Sequence, residues 1–494
     1  MSQILREARR YEELNEKKIG QEERPRFHLS ARVGWMNDPN GFSYYNGSYH
    51  MFYQYHPYNS YWGPMHWGHA VSGDLLHWEY LPAALAPDQA YDAAGCFSGS
   101  AVTLPDGRQL LMYTGVRREE VGGEVRDIQT QCLAVGDGTD YEKYEANPVL
   151  CEKDLPEGNS RFDFRDPKMW QAGNGSYRCV VGNCAGERDG QVLLFGSEDG
   201  FHWSFLKVLA ANNGRFGKAW ECPDFFALDG KQVLLVSPMD MLPQGLEYHN
   251  GNGTLCLIGN YDEKEETFTE ESDQAVDYGI DFYAPQTILT PDGRRVMIGW
   301  MQNWDTCNLH SPERPWFGQM SLPRELSIEN GRLIQRPVRE LEALHGERVA
   351  FKNVVFSGVK ELEGVAGRCV DMEVVVRPVD ESNPFRKFSV WFAQDEICHT
   401  AVSFRPGESI VKLDRKFSGT RRAVIHQRRS RVNSQNGEIK LRIILDICSV
   451  EVFVNDGEHV LSATMYTDPS AEGISFLCDG IAAMDVVKYT LCAR

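Results

Sequence analysis

Three carboxylic acids stand in short, similar segments of the chain. Asp38 lies in WMNDPNG, Asp166 in RDPKM and Glu221 in WECPDF. Two carboxyl groups that flank a bond can hydrolyse a glycoside: one attacks it or activates water, and the other protonates the leaving oxygen. Each acid alone has a structural alternative, because Asp-Pro favours turns and an acid near a strand start can cap loop amides. Their placement in the chain decides between the catalytic and the structural interpretation.

Asn-Gly and Asp-Gly pairs place these acids within a repeat. Such pairs favour tight hairpins, since a type I′ turn needs positive φ at both central residues. Five similar segments carry one, each a short connector followed by an apolar strand, with turn glycines at Gly47, Gly107, Gly175, Gly230 and Gly293. Intervals of 60, 68, 55 and 63 residues suit propeller blades of four strands. The sequence therefore predicts an all-β fold that begins with a five-bladed β-propeller.

The acids share a position within this repeat. The residues nine positions before the turn glycines are Asp38, Ser98, Asp166, Glu221 and Ala284. The first strand of a propeller blade lines the central channel, so these strand starts are expected to converge at one mouth of it. Like charges in a low-dielectric funnel repel and lower stability unless function retains them. This common register favours the catalytic hypothesis.

Aromatic and amide side chains near the same strand ends are of the kinds that bind sugars. Aromatic faces suit the C–H faces of sugar rings, although core packing is the alternative and is preferred for Tyr53 and Trp67. Amides and a guanidinium can bind hydroxyls or orient an acid. The aromatic candidates are Trp35, Phe42, Trp62, Phe97, Tyr283, Trp300 and Trp304, and the polar ones are Asn37, Gln54, Arg165 and Gln286.

Composition and charge exclude several classes of partner. A formal charge of −19 on 494 residues repels nucleic acid and anionic membrane, so a neutral ligand fits better. No apolar run reaches the ~18 residues of a membrane span, and the N-terminal segment lacks the apolar core of a secretory signal. Thirteen scattered cysteines without a CxxC pair indicate a reducing, cytoplasmic location without disulfides.

Competing chemistries lack their motifs. There is no phosphate-binding loop ending in Lys-Ser/Thr, no His-Glu-x-x-His and no Gly-x-Ser-x-Gly. His66 and His69 come nearest to metal-ligand spacing, but residues three apart on a strand face opposite sides. We therefore predict neither a metal nor a cofactor.

Four motifs, WMNDPNG, FSGS, RDP and ECP, stand in an order that closely resembles the signatures of glycoside hydrolase family 32, the invertase and fructanase family. The resemblance implies a retaining β-fructofuranosidase for sucrose, sucrose 6-phosphate or short fructo-oligosaccharides. It implies that Asp38 is the nucleophile, Glu221 the acid/base and Asp166 the stabiliser of the transition state. The substrate-binding residues that it implies are Trp35, Met36, Asn37, Gln54, Trp62, Phe97, Ser98, Arg165 and Trp300.

Three alternatives to this hydrolase remain open from the sequence. A fructosyltransferase would use the same covalent intermediate with a sugar hydroxyl in place of water. A carbohydrate-binding propeller without activity is disfavoured by the retention of all three carboxylates. A five-bladed arabinan hydrolase would not explain WMNDPNG followed by FSGS.

The domain organisation follows from where the sequence patterns change. Residues 1–25 form an N-terminal extension, and residues 26–341 are assigned to the propeller. A charged, helix-capable linker is predicted over 342–352. From 353 to 494 a period of two predicts a β-sandwich, through which a homo-oligomer is an open alternative. Helical spacing in the extension predicts a short surface helix whose apolar side carries Ile4, Ala8, Tyr11 and Leu14.

Overall fold

The computed structural model is almost entirely β-structure, with a five-bladed propeller followed by one large C-terminal sheet that folds into a sandwich. The predicted fold class is confirmed. In the described part of the chain, no helix is long and apolar enough to cross a membrane. The residues that the structure describes are 1–186, 189–248, 251–307, 314–419 and 425–492.

Each blade is built on an antiparallel sheet of four strands, and its first strand in the chain is innermost. Buried apolar clusters fill the space between neighbouring blades and hold them side by side. The five turn glycines follow the inner strands with φ between 77° and 88°, a region that glycine enters without a Cβ clash. The hairpin pattern in the sequence therefore located the blades correctly.

The strand bounds of the first three blades are as follows. Blade one comprises β1 Gly34–Tyr45, β2 Ser48–His56, β3 His66–Ser72 and β4 Trp78–Leu85. Blade two comprises β5 Gly95–Thr103, β6 Gln109–Val121, β7 Glu124–Gly136 and β8 Tyr141–Lys143. Blade three comprises β9 Arg165–Gln171, β10 Tyr177–Ala185, β11 Asp189–Ser197 and β12 Ser204–Ala211.

The last two blades complete the ring. Blade four comprises β13 Trp220–Leu228, β14 Lys231–Pro238, β15 Leu255–Asp262 and β16 Thr267–Ala275. Blade five comprises β17 Tyr283–Leu289, β18 Arg295–Trp300, β20 Arg324–Glu329 and β21 Arg332–Pro337. The short β19, Trp316–Phe317, lies between β18 and β20 in the chain and pairs in parallel with β1, which ties blade five to blade one.

A bulge recurs near the start of every inner strand. The register with the neighbouring strand shifts at Met36/Pro39, Phe97/Gly99, Arg165/Lys168, Glu221/Asp224 and Tyr283/Gln286. Asp166, Cys222 and Ala284 each take positive φ at this bulge, and each precedes a proline. Cys222 is therefore the structural counterpart of Asp166, and the nine-residue count is wrong by one for Glu221.

The miscount has a local cause in the hairpins. Strands β5, β9 and β17 reach their partners through five-residue connections, and β1 contains a second bulge between Asn40 and Ser43. Strand β13 has neither feature, since Leu228 pairs with Lys231 across a two-residue turn. Relative to the bulge, Glu221 consequently lies one residue before the position that Asp166 occupies.

The C-terminal domain is a single ten-stranded sheet that bends at its longest strand. That strand, β31, pairs with β24 through residues 473–479 and with β23 through residues 482–490. Apolar side chains from both halves share one buried cluster, as in a sandwich. The strands are β22 His345–Lys360, β23 Val370–Pro378, β24 Lys387–Gln394, β25 His399–Arg405, β26 Ile410–Phe417, β27 Gln427–Arg431, β28 Ile439–Asp446, β29 Ser449–Val454, β30 His459–Thr464 and β31 Gly473–Leu491.

The connection between the domains is shorter than the predicted linker 342–352. A 3₁₀ helix over Arg339–Leu344 leads directly into β22, so the chain from His345 onward already pairs with β31. The charges in this segment suggested a linker, but they belong to an edge strand with much of its length exposed to solvent. The other 3₁₀ helices are Gln21–Glu23, Glu152–Asp154 and Asn455–Gly457.

The N-terminal helix α1, Gln3–Glu16, covers the outer strand of blade one. Its Glu12 accepts a hydrogen bond from the backbone N–H of Ala83 in β4 at 3.1 Å, which satisfies an edge-strand donor. The apolar side differs from the prediction, because Ile4 and Leu14 are exposed, whereas Leu5, Ala8 and Glu12 are buried.

A buried ion-pair network joins the propeller to the sandwich. Arg324 in β20 donates to Glu451 at 2.5 and 3.0 Å and to Asp277 at 3.1 Å. His28 contacts Glu451 at 3.1 Å and Asp446 at 2.8 Å. Although burial opposes its charge, hydrogen bonds to Asp446 and Glu451 raise the pKa of His28 to about 9. Two cations therefore pair with the three buried acids of this network.

Candidate active site

The inner strands of four blades open into one pocket of about 1100 Å³. Its wall includes Asp38 from β1, Ser98 from β5, Asp166 from β9 and Glu221 from β13. All three predicted catalytic carboxylates therefore reach the same cavity, as the propeller geometry requires. No group of three or more His, Cys, Asp or Glu within the described ranges is arranged to hold a metal ion.

Asp38 lines the pocket, is buried and is held by neutral donors. Ser98 Oγ donates to its Oδ2 at 2.8 Å, and Asn37 Nδ2 donates to its Oδ1 at 3.1 Å. Trp35 Nε1 donates to Asn37 Oδ1 at 2.7 Å, which orients that amide. Burial, and then the charge of Glu221, raise the pKa of Asp38 to about 6. The carboxylate is ionised at neutral pH and has few compensating charges, which suits a nucleophile.

Ser98 can reach Asp38 because glycine follows it in the FSGS motif. A Cβ at Gly99 would stand 1.9 Å from the carbonyl oxygen of Met112 in β6. Only glycine permits this close approach of β5 and β6. In this motif, strand packing therefore requires Gly99, and the hydrogen bond to Asp38 requires Ser98.

Asp166 is linked to Asp38 through Cys222. The backbone N–H of Cys222 donates to Asp166 Oδ2 at 2.9 Å, and its Sγ lies 3.5 Å from Asp166 Oδ2 and 3.6 Å from Asp38 Oδ2. Burial raises the pKa of the Cys222 thiol, so it stays protonated and can donate weakly. The pKa of Asp166 is raised by burial and by the charge of Glu221, against the opposing charge of Arg165.

Glu221 has a different environment from the two aspartates. Arg165 Nε donates to its Oε1 at 2.9 Å, and Tyr283 OH donates to its Oε2 at 2.6 Å. Arg165 is in turn held by Gln129 at 3.2 Å and by Asp163 at 3.3 Å. The ion pair and the phenol fix both oxygens of Glu221, which presents an oriented carboxyl group to the cavity.

Three further candidates line the pocket. Gln54 is held by the carbonyl of Cys96, to which its Nε2 donates at 3.0 Å. Trp62 is 40% exposed and packs edge-on against Phe97 with ring centroids 5.9 Å apart. Trp62 and Phe97 therefore offer aromatic surface at the pocket wall.

Trp35, Met36 and Trp300 do not reach the wall of this pocket. All three side chains are fully buried, and Trp35 stacks against Phe317 with ring centroids 5.2 Å apart. Direct contact with a sugar, which the resemblance implied, does not follow from this geometry. Burying a large ring behind the pocket is more favourable in free energy than exposing it at the pocket wall. From this buried position Trp35 orients Asn37 through a hydrogen bond. Tyr53 and Trp67 are buried in the core, as preferred from the sequence.

Sequence reasoning missed a second wall, formed by the β6–β7 hairpin and the loop before β9. This wall carries Arg118, Arg126 and Phe162. The available signal was the interval of 68 residues between Gly107 and Gly175, the longest in the repeat. It reflects strands β6 and β7 of 13 residues each, which extend blade two beyond the others toward the cavity.

Family models match the two domains in turn. The model described as "Glycosyl hydrolases family 32 N-terminal domain" matches residues 28–337, and the model described as "Glycosyl hydrolases family 32 C terminal" matches residues 340–491. The chain belongs to glycoside hydrolase family 32. The predicted family and the predicted enzyme class, a glycoside hydrolase, are thereby confirmed.

Relatives that match this family-32 chain over most of their length include proteins named as an invertase and a sucrose-6-phosphate hydrolase. The chain is 38% identical to the raffinose invertase of Escherichia coli, with 91% of each chain covered, and 36% identical to a sucrose-6-phosphate hydrolase of E. coli, with 93% of each covered. The solved structure of a Bombyx mori family-32 β-fructofuranosidase variant in complex with sucrose shares 34% identity and a TM-score of 0.84, covering 99% of this chain and 98% of that one.

Proposed function

We propose that the protein is a retaining β-fructofuranosidase that releases the terminal fructosyl unit of sucrose, sucrose 6-phosphate or short fructo-oligosaccharides. The observation that carries this proposal is the meeting of Asp38, Asp166 and Glu221 at one pocket, each with its own set of donors. The names of the family-32 relatives support the substrate class.

Each carboxylate has one task in the proposed reaction. Asp38 attacks the anomeric C2 of the fructosyl unit, and the bond from C2 to the bridging oxygen breaks as Glu221 protonates that oxygen. Water then attacks C2, Glu221 takes its proton, and the bond to Asp38 breaks. Two inversions give net retention. Asp166 stabilises the positive charge that develops on the fructosyl ring in both steps.

A panel of substrates tests this function. We expect fructose to be released from sucrose, sucrose 6-phosphate or kestose, with inulin slower, when kcat/KM is measured side by side. Proton NMR of the first product should show β-fructofuranose, the retained anomer. Sugar analysis at high sucrose separates hydrolysis from transfer to a second sugar. Release of no fructose from any of these substrates would refute the proposal.

The rate is expected to fall on the acid side of about pH 6. Asp38 attacks as a carboxylate, and burial together with the charge of Glu221 raises its pKa to about 6. As the pH falls through this value Asp38 takes up a proton, so kcat/KM should fall by about tenfold per pH unit. The pH profile of kcat/KM on sucrose measures this limb. Ser98→Ala removes a donor to the charged form and should move the limb to higher pH.

The pH at which kcat/KM falls on the acid side can contradict the assignment of this fall to Asp38. A limb near about 3.9, the ordinary value for an aspartate, would mean that Asp38 is not perturbed. A limb that does not move in Ser98→Ala would mean that another group sets it.

Glu221→Ala is expected to lose about 10²- to 10⁴-fold in kcat on sucrose, because the glucosyl oxygen would leave without a proton. Azide needs no general base but acts only on the fructosyl–enzyme in the second step, so it should not restore turnover on sucrose, whose first step needs the acid. Sucrose consumption with and without azide tests both expectations. Glu198→Ala, an exposed glutamate after β11, is the matched control. Full activity of Glu221→Ala on sucrose would contradict the acid/base role.

Location and assembly stay predictions. We infer a cytoplasmic location from the thirteen cysteines, which are scattered singly along the sequence without a CxxC pair. For assembly, the prediction is a homo-oligomer that forms through the sandwich. Sedimentation of the purified chain measures its oligomeric state.

A further inference from the structure

The β6–β7 hairpin brings two arginines and one aspartate, Asp127, to the wall of the pocket. Arg118 of β6 and Arg126 of β7 both line the cavity, within a chain of formal charge −19. The carboxylates Asp38, Asp166 and Glu221 lie elsewhere on the wall of the same cavity. Asp127 and Asp163 also line the pocket, and Arg118 and Arg165 pair with them, so only an arginine without a carboxylate partner is available to receive an anion.

The hairpin stands on the Glu221 side of the pocket. Gln129 of β7 accepts from Arg165 at 3.2 Å, and Arg165 donates to Glu221 at 2.9 Å. Arg126 precedes Gln129 by three residues in the same strand, about 10 Å farther along it at the rise of a β-strand, and here both side chains line the pocket. Since Glu221 is the proposed donor of a proton to the leaving sugar, Arg126 lies on the leaving-group side.

The two arginines differ in their partners. Arg118 Nε forms an ion pair with Asp127 at 3.2 Å. No carboxylate of the described residues lies within ion-pair distance of Arg126, whose guanidinium packs over the ring of Phe162 at 4.4 Å. This stacking holds the guanidinium at the wall and leaves its N–H donors free for a ligand.

Phe162 is a weak platform for another sugar ring. Besides Arg126, the guanidinium of Arg161 lies 5.2 Å from the ring centroid, so two cations already contact this ring. Arg161 is itself neutralised by Glu152 at 2.7 Å. The wall therefore favours an anionic group over the apolar face of a longer neutral oligosaccharide.

We propose that Arg126, supported by Arg118, recognises a phosphate monoester on the leaving sugar and so determines specificity for phosphorylated disaccharides. This inference rests on the proposed fructosidase function. Two charge-assisted hydrogen bonds from a planar guanidinium match the oxygens of a phosphate dianion. The uncharged sugar without the phosphate lacks these contacts.

Arg126→Gln is expected to lower the ratio of kcat/KM for sucrose 6-phosphate to kcat/KM for sucrose by about 10- to 100-fold, the loss of charge-assisted hydrogen bonds. Arg108→Gln is the matched control, because Arg108 is exposed, pairs with Asp106 and does not line the pocket. It should keep the wild-type ratio. A ratio unchanged in Arg126→Gln, or one equally changed in Arg108→Gln, would overturn the proposal.

A binding measurement separates this inference from the proposed function. Glucose 6-phosphate should bind the wild-type protein more tightly than glucose in calorimetry, and Arg126→Gln should lose most of that difference. Sucrose hydrolysis without any preference for glucose 6-phosphate over glucose would leave the fructosidase standing and refute the phosphate site. Absence of hydrolysis with an Arg126-dependent binding of glucose 6-phosphate would refute the fructosidase and retain the site.

Discussion

Asp38→Ala is expected to abolish the turnover of sucrose, with a fall in kcat on the order of 10⁴-fold or more, as for the loss of other covalent nucleophiles. In the proposed mechanism, no fructosyl–enzyme bond can form at C2 without this carboxylate. Ser98 and Asn37 donate hydrogen bonds to Asp38 at 2.8 and 3.1 Å, and neither of them can replace the carboxylate as nucleophile. Fructose release from sucrose by the purified variant measures the effect.

The same variant is expected to remain folded. Burial, followed by the charge of Glu221, raises the pKa of Asp38 to about 6 from 3.8, so its charge destabilises the folded state at pH 7. Removing that charge should therefore leave the free energy of unfolding no lower than that of the wild type. Ser98→Ala is the control, since it keeps the carboxylate and should retain measurable turnover. Substantial hydrolysis by a folded Asp38→Ala protein would refute the assignment of the nucleophile.

Arg324→Met is expected to lower the free energy of unfolding by about 3–5 kcal/mol, the cost of breaking a buried ion pair by removing one partner. Arg324 is fully buried, and its loss leaves Glu451 and Asp277 without the guanidinium that both contact. His28 still contacts Glu451 but not Asp277. Denaturant unfolding followed by tryptophan fluorescence measures the change.

Arg336→Met provides a matched control on the adjacent strand. Its pair with Glu329 at 2.7 Å is solvent-exposed on both sides, so its removal should cost about 1 kcal/mol or less. Equal losses in the two variants would mean that the interface between propeller and sandwich does not depend on the buried network.

Much of the fold could be predicted because its signals are local. A turn glycine with positive φ and an apolar strand after it need only neighbouring residues to be recognised, and five such hairpins define the propeller. The helix α1 was likewise predicted, but Glu12 is buried in place of Ile4, because β4 offers a backbone donor that only the assembled blade presents.

The candidate site was predicted less completely, since its second wall comes from a hairpin extension. Arg118 and Arg126 belong to no repeated motif, and only the packing of blade two beside blade three brings them to the cavity. Trp300, in contrast, was predicted to bind substrate but does not line the pocket. It stands near the predicted strand end, but its ring packs against Trp35 and Trp304 behind the wall.

By itself the sequence determined the all-β class, the repeat and the motifs of glycoside hydrolase family 32, because residue type and spacing along the chain carry these features. Only the tertiary structure decided that Cys222, one residue after Glu221, is the counterpart of Asp166 and lies between the two aspartates. The physical reason is that bulges and turn lengths change the register of each strand. Which side chains then face one another across the channel depends on the packing of all five blades.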